Sequence, residues 1–216
     1  MAVNCGIYGV APGPATEGGE DMSVECRHDM ETISAYIDKL QKTLAATDVA
    51  VLNVAIEMVR EAWEHGRQVF LFGNGGSAAT ASHLVCDLQK SVSRAMGKPL
   101  RAISLADSVP LITAWGNDTE YANIFRPQLE TLGQPGDVAI AISGSGNSPN
   151  VLQAIEAAKA KGIKTIGMTG FAGGKLAPMV DIALIAQSDN MQRIEDMHLI
   201  WGHIMFLALM GEESSC

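Results

Sequence analysis

His83 and Asp87 stand four residues apart inside a helical pattern. In an α-helix that spacing brings both side chains to one face, about one turn apart, as two ligands of a single metal ion require. A second group, Glu195, Asp196, His198 and His203, falls within nine residues near the end of the chain. Taken alone, a helix histidine is more often a hydrogen-bonded core residue than a ligand. A carboxylate near a helix start is more often a solvated cap.

Two glycine- and serine-rich loops complete the chemistry-bearing residues: Gly73-Asn-Gly-Gly-Ser-Ala-Ala79 and Ser143-Gly-Ser-Gly-Asn-Ser-Pro-Asn150. Each follows a short apolar run and opens a helical pattern. Glycines let backbone N–H groups turn towards a ligand, serines add hydroxyl donors, and a helix N-terminus favours an anion. Ser143, Ser145 and Ser148 lie within six residues, and Pro149 suits the first helical position after an N-cap Ser148. Two such loops in one small domain predict a pocket for a phosphorylated small molecule. The first also reads G-x-G-x-x-A from Gly73 to Ala78. A dinucleotide fingerprint wants an acid about 20 residues on, at the end of the next strand. The nearest acid there, Asp107, comes too late. No Lys follows the second glycine run, so it is not an ATP-type phosphate loop.

The elements that must position these groups alternate along the chain. Strand-like runs are Gln68–Phe72, Arg101–Leu105, Asp137–Ser143, Lys164–Met168 and Asp181–Ala186. They are short, apolar and often β-branched, as buried parallel strands are. Helical stretches fall at Ser77–Arg94, Ser108–Trp115, Tyr121–Leu132, Pro149–Lys161 and Met191–Leu209. Two leading helices precede them, Met30–Ala46 with an apolar stripe (Ile33, Ile37, Leu40, Leu44) and Val49–His65 with Asp48 as N-cap. The pattern predicts an α/β fold: a doubly wound, three-layer domain with a five-stranded parallel sheet. Ligands of such sheets sit at the carboxyl ends of strands, where both loops fall. Residues 1–28, rich in Gly, Pro and Glu, read as a mobile tail, and residues 29–216 as a single domain.

With 216 residues, 47% of them hydrophobic, the chain can bury one sizeable core. Its formal charge of −9 argues against nucleic acid and anionic membranes as partners. A phosphate must therefore be held by local donors. Cys5, Cys26, Cys86 and Cys216 lie far apart without metal-type spacing. They read as reduced thiols, and a cytoplasmic location is expected.

Together the motifs resemble a sugar-isomerase (SIS) domain, and within that family its phosphoheptose isomerase branch. The resemblance rests on GNGGSAA followed by a helix bearing His83, on SGSGNSPNVLQAIEAAKAKGIKTIGMTG from Ser143, and on Trp115-Gly-Asn-Asp118. It continues through Gly173-Gly-Lys175 and RIEDMHLIWGHI (Arg193–Ile204), covering about Met30 to Leu209. It implies isomerisation of sedoheptulose 7-phosphate to D-glycero-D-manno-heptose 7-phosphate through an enediol. It also implies one zinc ion per site, held in the family by His, Glu, Gln and His. Those positions fall on His83, Asp87, Glu195 and His203 here. Asp87 is implied as the base and His203 as its acid/base partner. Ser143, Gly144, Ser145 and Ser148 are implied at the phosphate, Asn74, Gly75, Gly76, Ser77 and Glu195 near the substrate, and Asn117 and Asp118 in the sugar pocket.

The chain departs from the family where the chemistry is. Asp87 is one methylene shorter than the family's Glu, which retracts the carboxylate by roughly 1.5 Å. Glu195 replaces an amide, and Ser91 stands where the family carries Arg. Glu195 and His203 are eight residues apart, about 12 Å along a straight helix, so one ion can hardly take both from one unbroken helix. Family members are tetramers with sites built between subunits, and the resemblance implies the same here. Two alternatives stay open: an isomerase for a different phosphosugar, and a non-catalytic tetrameric SIS adaptor of the kind that binds a replication initiator.

Overall fold

All five expected strands form, with ends shifted by a residue or two: β1 (Gln68–Gly73), β2 (Arg101–Ser104), β3 (Val138–Ile142), β4 (Lys164–Thr169) and β5 (Ile182–Ile185). In this computed structural model, which describes residues 33–211, they make one parallel sheet in the order β2-β1-β3-β4-β5. The tail expected over residues 1–28 lies outside the described residues. The central strands are buried on both faces, whereas edge strand β2 alternates buried and exposed residues.

Because side chains alternate along a strand, each strand feeds two cores. Val69 and Leu71 of β1 face one core, built with α2 (Val49–Glu64), α3 (Gly76–Cys86) and α8 (Met191–Met210). Phe70 and Phe72 face the other, built with α6 (Arg126–Leu132) and α7 (Pro149–Ala160). The result is the three-layer doubly wound fold predicted above. β1 connects outward to β2 and β3 outward to β4, in opposite directions. A crevice therefore opens between the carboxyl ends of β1 and β3, the switch point at which such sheets bind ligands.

Three local features differ from expectation. α1 (Ile33–Ala45) forms, but its stripe is covered only in part: Leu40 packs against the core, whereas Ile33, Ile37 and Leu44 are exposed and its buried residue is Thr43. The helix expected over 77–94 is interrupted. α3 is followed by a wide π turn (Asp87–Val92) and then α4 (Ser93–Met96). Apolar spacing at period 3.6 does not reveal such turns, which occur often at functional sites. Finally, the Tyr121–Leu132 stretch splits into a 3-10 turn (Tyr121–Asn123) and α6, while α5 (Val109–Asp118) runs longer than expected. Asp48 caps α2 as predicted, its carboxylate accepting from Val51 N at 3.1 Å.

Candidate active site

The two glycine loops end adjacent strands and face each other across an open cleft of about 290 Å³. Asn74, Gly75, Gly76 and Ser77 form one wall, with Ser143, Gly144, Ser145 and Ser148 on the other and Met191 and Glu195 between them. All nine residues expected on these two loops and at Glu195 are thus brought together. Ser148 stands at the N-cap position of α7, and Pro149 begins the helix as expected. Its side chain makes no capping bond, however; its hydroxyl accepts from Ser143 Oγ at 3.2 Å instead. The hydroxyl is thereby kept within the loop, beside the helix N-terminus.

The loop is backed by the Gly173-Gly-Lys175 turn. Leu176 N donates to Gly146 O at 2.9 Å, and Lys175 N to Asn147 Oδ1 at 3.1 Å. Gly146 has φ +64°, and a Cβ there would lie 2.2 Å from Gly173 O, so both the conformation and the close approach require glycine. Glu195, on the first turns of α8, leans on the opposite wall. A Cβ at Gly76 would lie 2.9 Å from both of its carboxylate oxygens. Gly76 opens α3, so this carboxylate lies at the positive end of that helix.

Asn74 walls the cleft as expected, and its side chain is also held from a second element. Its amide is engaged with the amide of Asn150: Asn74 Nδ2 donates to Asn150 Oδ1 at 2.9 Å, and Asn150 Nδ2 donates back to Asn74 Oδ1 at 2.8 Å. Tyr121 OH also donates to Asn74 Oδ1, at 3.0 Å. Asn150 was missed from sequence. Its one signal was an amide at the second position of a helix, where a solvated side chain is the ordinary case.

A second constellation lies farther along α3. His83 Nε2 is 3.1 Å from His203 Nε2 and 3.4 Å from Asp87 Oδ2, while His203 Nε2 is 3.9 Å from the same oxygen. The His83 and His203 side chains are about half exposed, at 50% and 45%, and Asp87 is 22% exposed. Two imidazole nitrogens and a carboxylate oxygen converge on one point. In tetrahedral zinc with bonds of about 2.0–2.2 Å, ligand atoms lie about 3.3–3.5 Å apart, a range these separations bracket. Two histidines and one carboxylate is also a ligand count of catalytic zinc sites, the fourth position going to water or substrate. The donor set fits a metal. Glu195 does not join it: α8 is unbroken from Met191 to Met210, and Glu195 reaches the cleft while His203 reaches the cluster.

The remaining candidates fall outside both groups. Asn117 and Asp118 end α5, exposed, with Asn117 Nδ2 bonded to Asp118 Oδ1 at 2.9 Å, and neither walls the cleft. Asp196 accepts from Tyr36 OH on α1. His198 is a core residue: 1% exposed, it donates from Nε2 to Thr169 O at 3.1 Å and lies against Trp201. Burial pushes its pKa down to about 4, against the weaker upward pull of the Thr169 carbonyl.

Among the described residues no helix is long and apolar enough to cross a membrane. Residues 34–170 match the family model of the SIS domain. The phosphoheptose isomerase of Helicobacter pylori strain P12 is 40% identical over 171 residues, covering 79% of this chain and 88% of its own. Two solved structures superpose closely. The phosphoheptose isomerase of Francisella tularensis has a TM-score of 0.77 at 32% identity, over 82% of this chain and 95% of its own. That of Neisseria gonorrhoeae has a TM-score of 0.76 at 30% identity, over 82% and 96%. With the loops, the cleft and the sheet order in agreement, the chain belongs to the SIS-domain family, in its phosphoheptose isomerase branch.

Proposed function

We propose that this phosphosugar isomerase converts sedoheptulose 7-phosphate to D-glycero-D-manno-heptose 7-phosphate. One arrangement carries the reading: a hydroxyl-lined cleft at helix N-termini and a His-Asp-His cluster both lie along α3, about 9 Å of helix rise apart between Ser77 and His83. A ketose phosphate likewise carries its phosphate and its carbonyl at opposite ends. Ser143, Ser145 and Ser148 bind the phosphate, using hydroxyls and the α7 N-terminus in place of a positive field.

At the other end, Asp87 removes a proton from the carbon next to the carbonyl, giving a cis-enediol, and returns it to the neighbouring carbon. His203 carries the proton between the two sugar oxygens. His83, Asp87 and His203 would hold zinc, with Glu195 of a neighbouring subunit as a fourth ligand. When bound, zinc supplies positive charge beside the sugar oxygens, where negative charge develops. The site then requires a homo-oligomer, and a tetramer is proposed. The bare apolar residues Ile33, Ile37 and Leu44 on α1 and Ile204 and Leu207 around His203 support subunit packing here.

Coupled turnover of zinc-loaded protein with sedoheptulose 7-phosphate and a panel of other ketose phosphates tests this. Turnover of the heptulose is expected. A protein that converts none of them is not the enzyme proposed.

A further inference from the structure

We propose that Asn150 is a positioning residue for substrate binding, acting through Asn74 to fix the gap between the two loops that take the phosphate. The inference rests on the cleft being the phosphate site, as proposed above. The two amides form a closed pair, each donating to and accepting from the other at 2.8–2.9 Å. Asn150 Oδ1 accepts a second bond from Val151 N at 2.9 Å, which locks the side chain to the first turn of α7. Asn74 Oδ1 accepts a second bond from Tyr121 OH at 3.0 Å.

Asn150 is 1% exposed, so water offers its amide no substitute partner. Reciprocity favours an amide on both sides, because an amide carries a donor and an acceptor side by side on one carbon, whereas an ionised carboxylate offers acceptors alone. Among the described residues, these are the hydrogen bonds that join the first loop to the start of α7. The sheet alone does not set the gap, since the chains leaving β1 and β3 diverge. The clasp sits at the base of that divergence, with the cleft directly beside it.

The test uses full-length protein carrying Asn150→Asp, Asn150→Ala, Asn74→Ala, the double alanine variant and Tyr121→Phe. Inorganic phosphate binding is measured by calorimetry, steady-state turnover with the ketose phosphate, and thermal unfolding on each variant. Asn150→Asp leaves acceptors facing each other and is expected to weaken phosphate binding and raise KM about tenfold, with kcat held within about threefold. The double alanine variant is expected to cost no more than the worse single one, because both break the same clasp. Tyr121→Phe removes one hydroxyl from an exposed ring and cannot unfold the domain. It is expected to raise KM about two- to threefold, which keeps the test open should the Asn150 variants fail to fold. Unchanged phosphate affinity in folded variants, or a fall in kcat with KM unmoved, overturns the positioning role while leaving the isomerase reading intact. A wild-type protein that binds neither phosphate nor any sugar phosphate overturns both.

Discussion

Gly202 and Leu84 are in contact so close that a Cβ on Gly202 would lie 2.3 Å from Leu84 Cδ2. Each is the chain neighbour of a histidine in the cluster, His203 and His83. The missing side chain lets α8 settle onto α3 and carries the two imidazoles, 120 residues apart in sequence, to 3.1 Å.

It follows that Gly202→Ala makes the buried Leu84 side chain repack or the two helices part. Overpacking of this kind costs about 1–3 kcal/mol. Denaturant unfolding should show that loss, and a zinc titration should show weakened binding in the variant. Wild-type zinc affinity in Gly202→Ala would contradict the link between packing and cluster.

Asp87 reaches both imidazoles despite its short side chain. Asp87→Asn removes the charge and the basic oxygen together and is expected to abolish turnover. Asp87→Glu restores the family's length but drives the carboxylate into the space between the histidines. A displacement of about 1 Å can cost about a hundredfold, so a loss of that order in kcat is expected. Metal content measured on both variants separates lost zinc from lost base; a gain with Glu would mean the cluster opens further than its geometry indicates.

Ser143 and Ser148 bond to each other and flank the α7 N-terminus. A hydrogen bond to a charged group contributes about 1.5–3 kcal/mol, so either Ser→Ala change should raise KM for the sugar phosphate by roughly 10- to 100-fold. Because the phosphate is remote from the reacting carbons, kcat should change far less. Equal losses in kcat would place the hydroxyls at the chemistry instead.

His198 supplies a pH dependence. Burial holds its folded pKa at about 4, below the ordinary 6.5, so the folded protein resists taking up the proton that the unfolded chain accepts. Its neutral form is fully compatible with folding above pH 6.5, and stability then falls as the pH drops from 6.5 to 4. That shift corresponds to roughly 3 kcal/mol. Chemical denaturation across this range should show the decline, and His198→Gln should flatten it; an unchanged slope would assign the decline to other groups.

The sheet was legible because buried parallel strands announce themselves as short β-branched runs, and the loops because glycine, serine and proline have few other uses at a strand-to-helix junction. His83 and Asp87 could be paired from helix spacing alone. His203 joined them through the family resemblance, since nothing in a linear pattern states which helices touch. The Asn74–Asn150 pair was invisible for the same reason: both lie in turn-rich stretches where an amide is unremarkable. Asn117 and Asp118, matched by motif, lie exposed at the end of α5 and outside the cleft of a single chain. α1 was read correctly as helical, but of its apolar stripe Ile33, Ile37 and Leu44 are exposed and Leu40 packs against the core.

The crossover at the switch point hangs the serines of the second loop and the His-Asp pair from different strands. Ser143, Ser145 and Ser148 hang from β3, whereas His83 and Asp87 ride on the helix that follows β1. Under the proposed function, a substitution at Asp87 leaves the serines of the second loop where they stand, so turnover can be altered while the affinity for the phosphate group is kept.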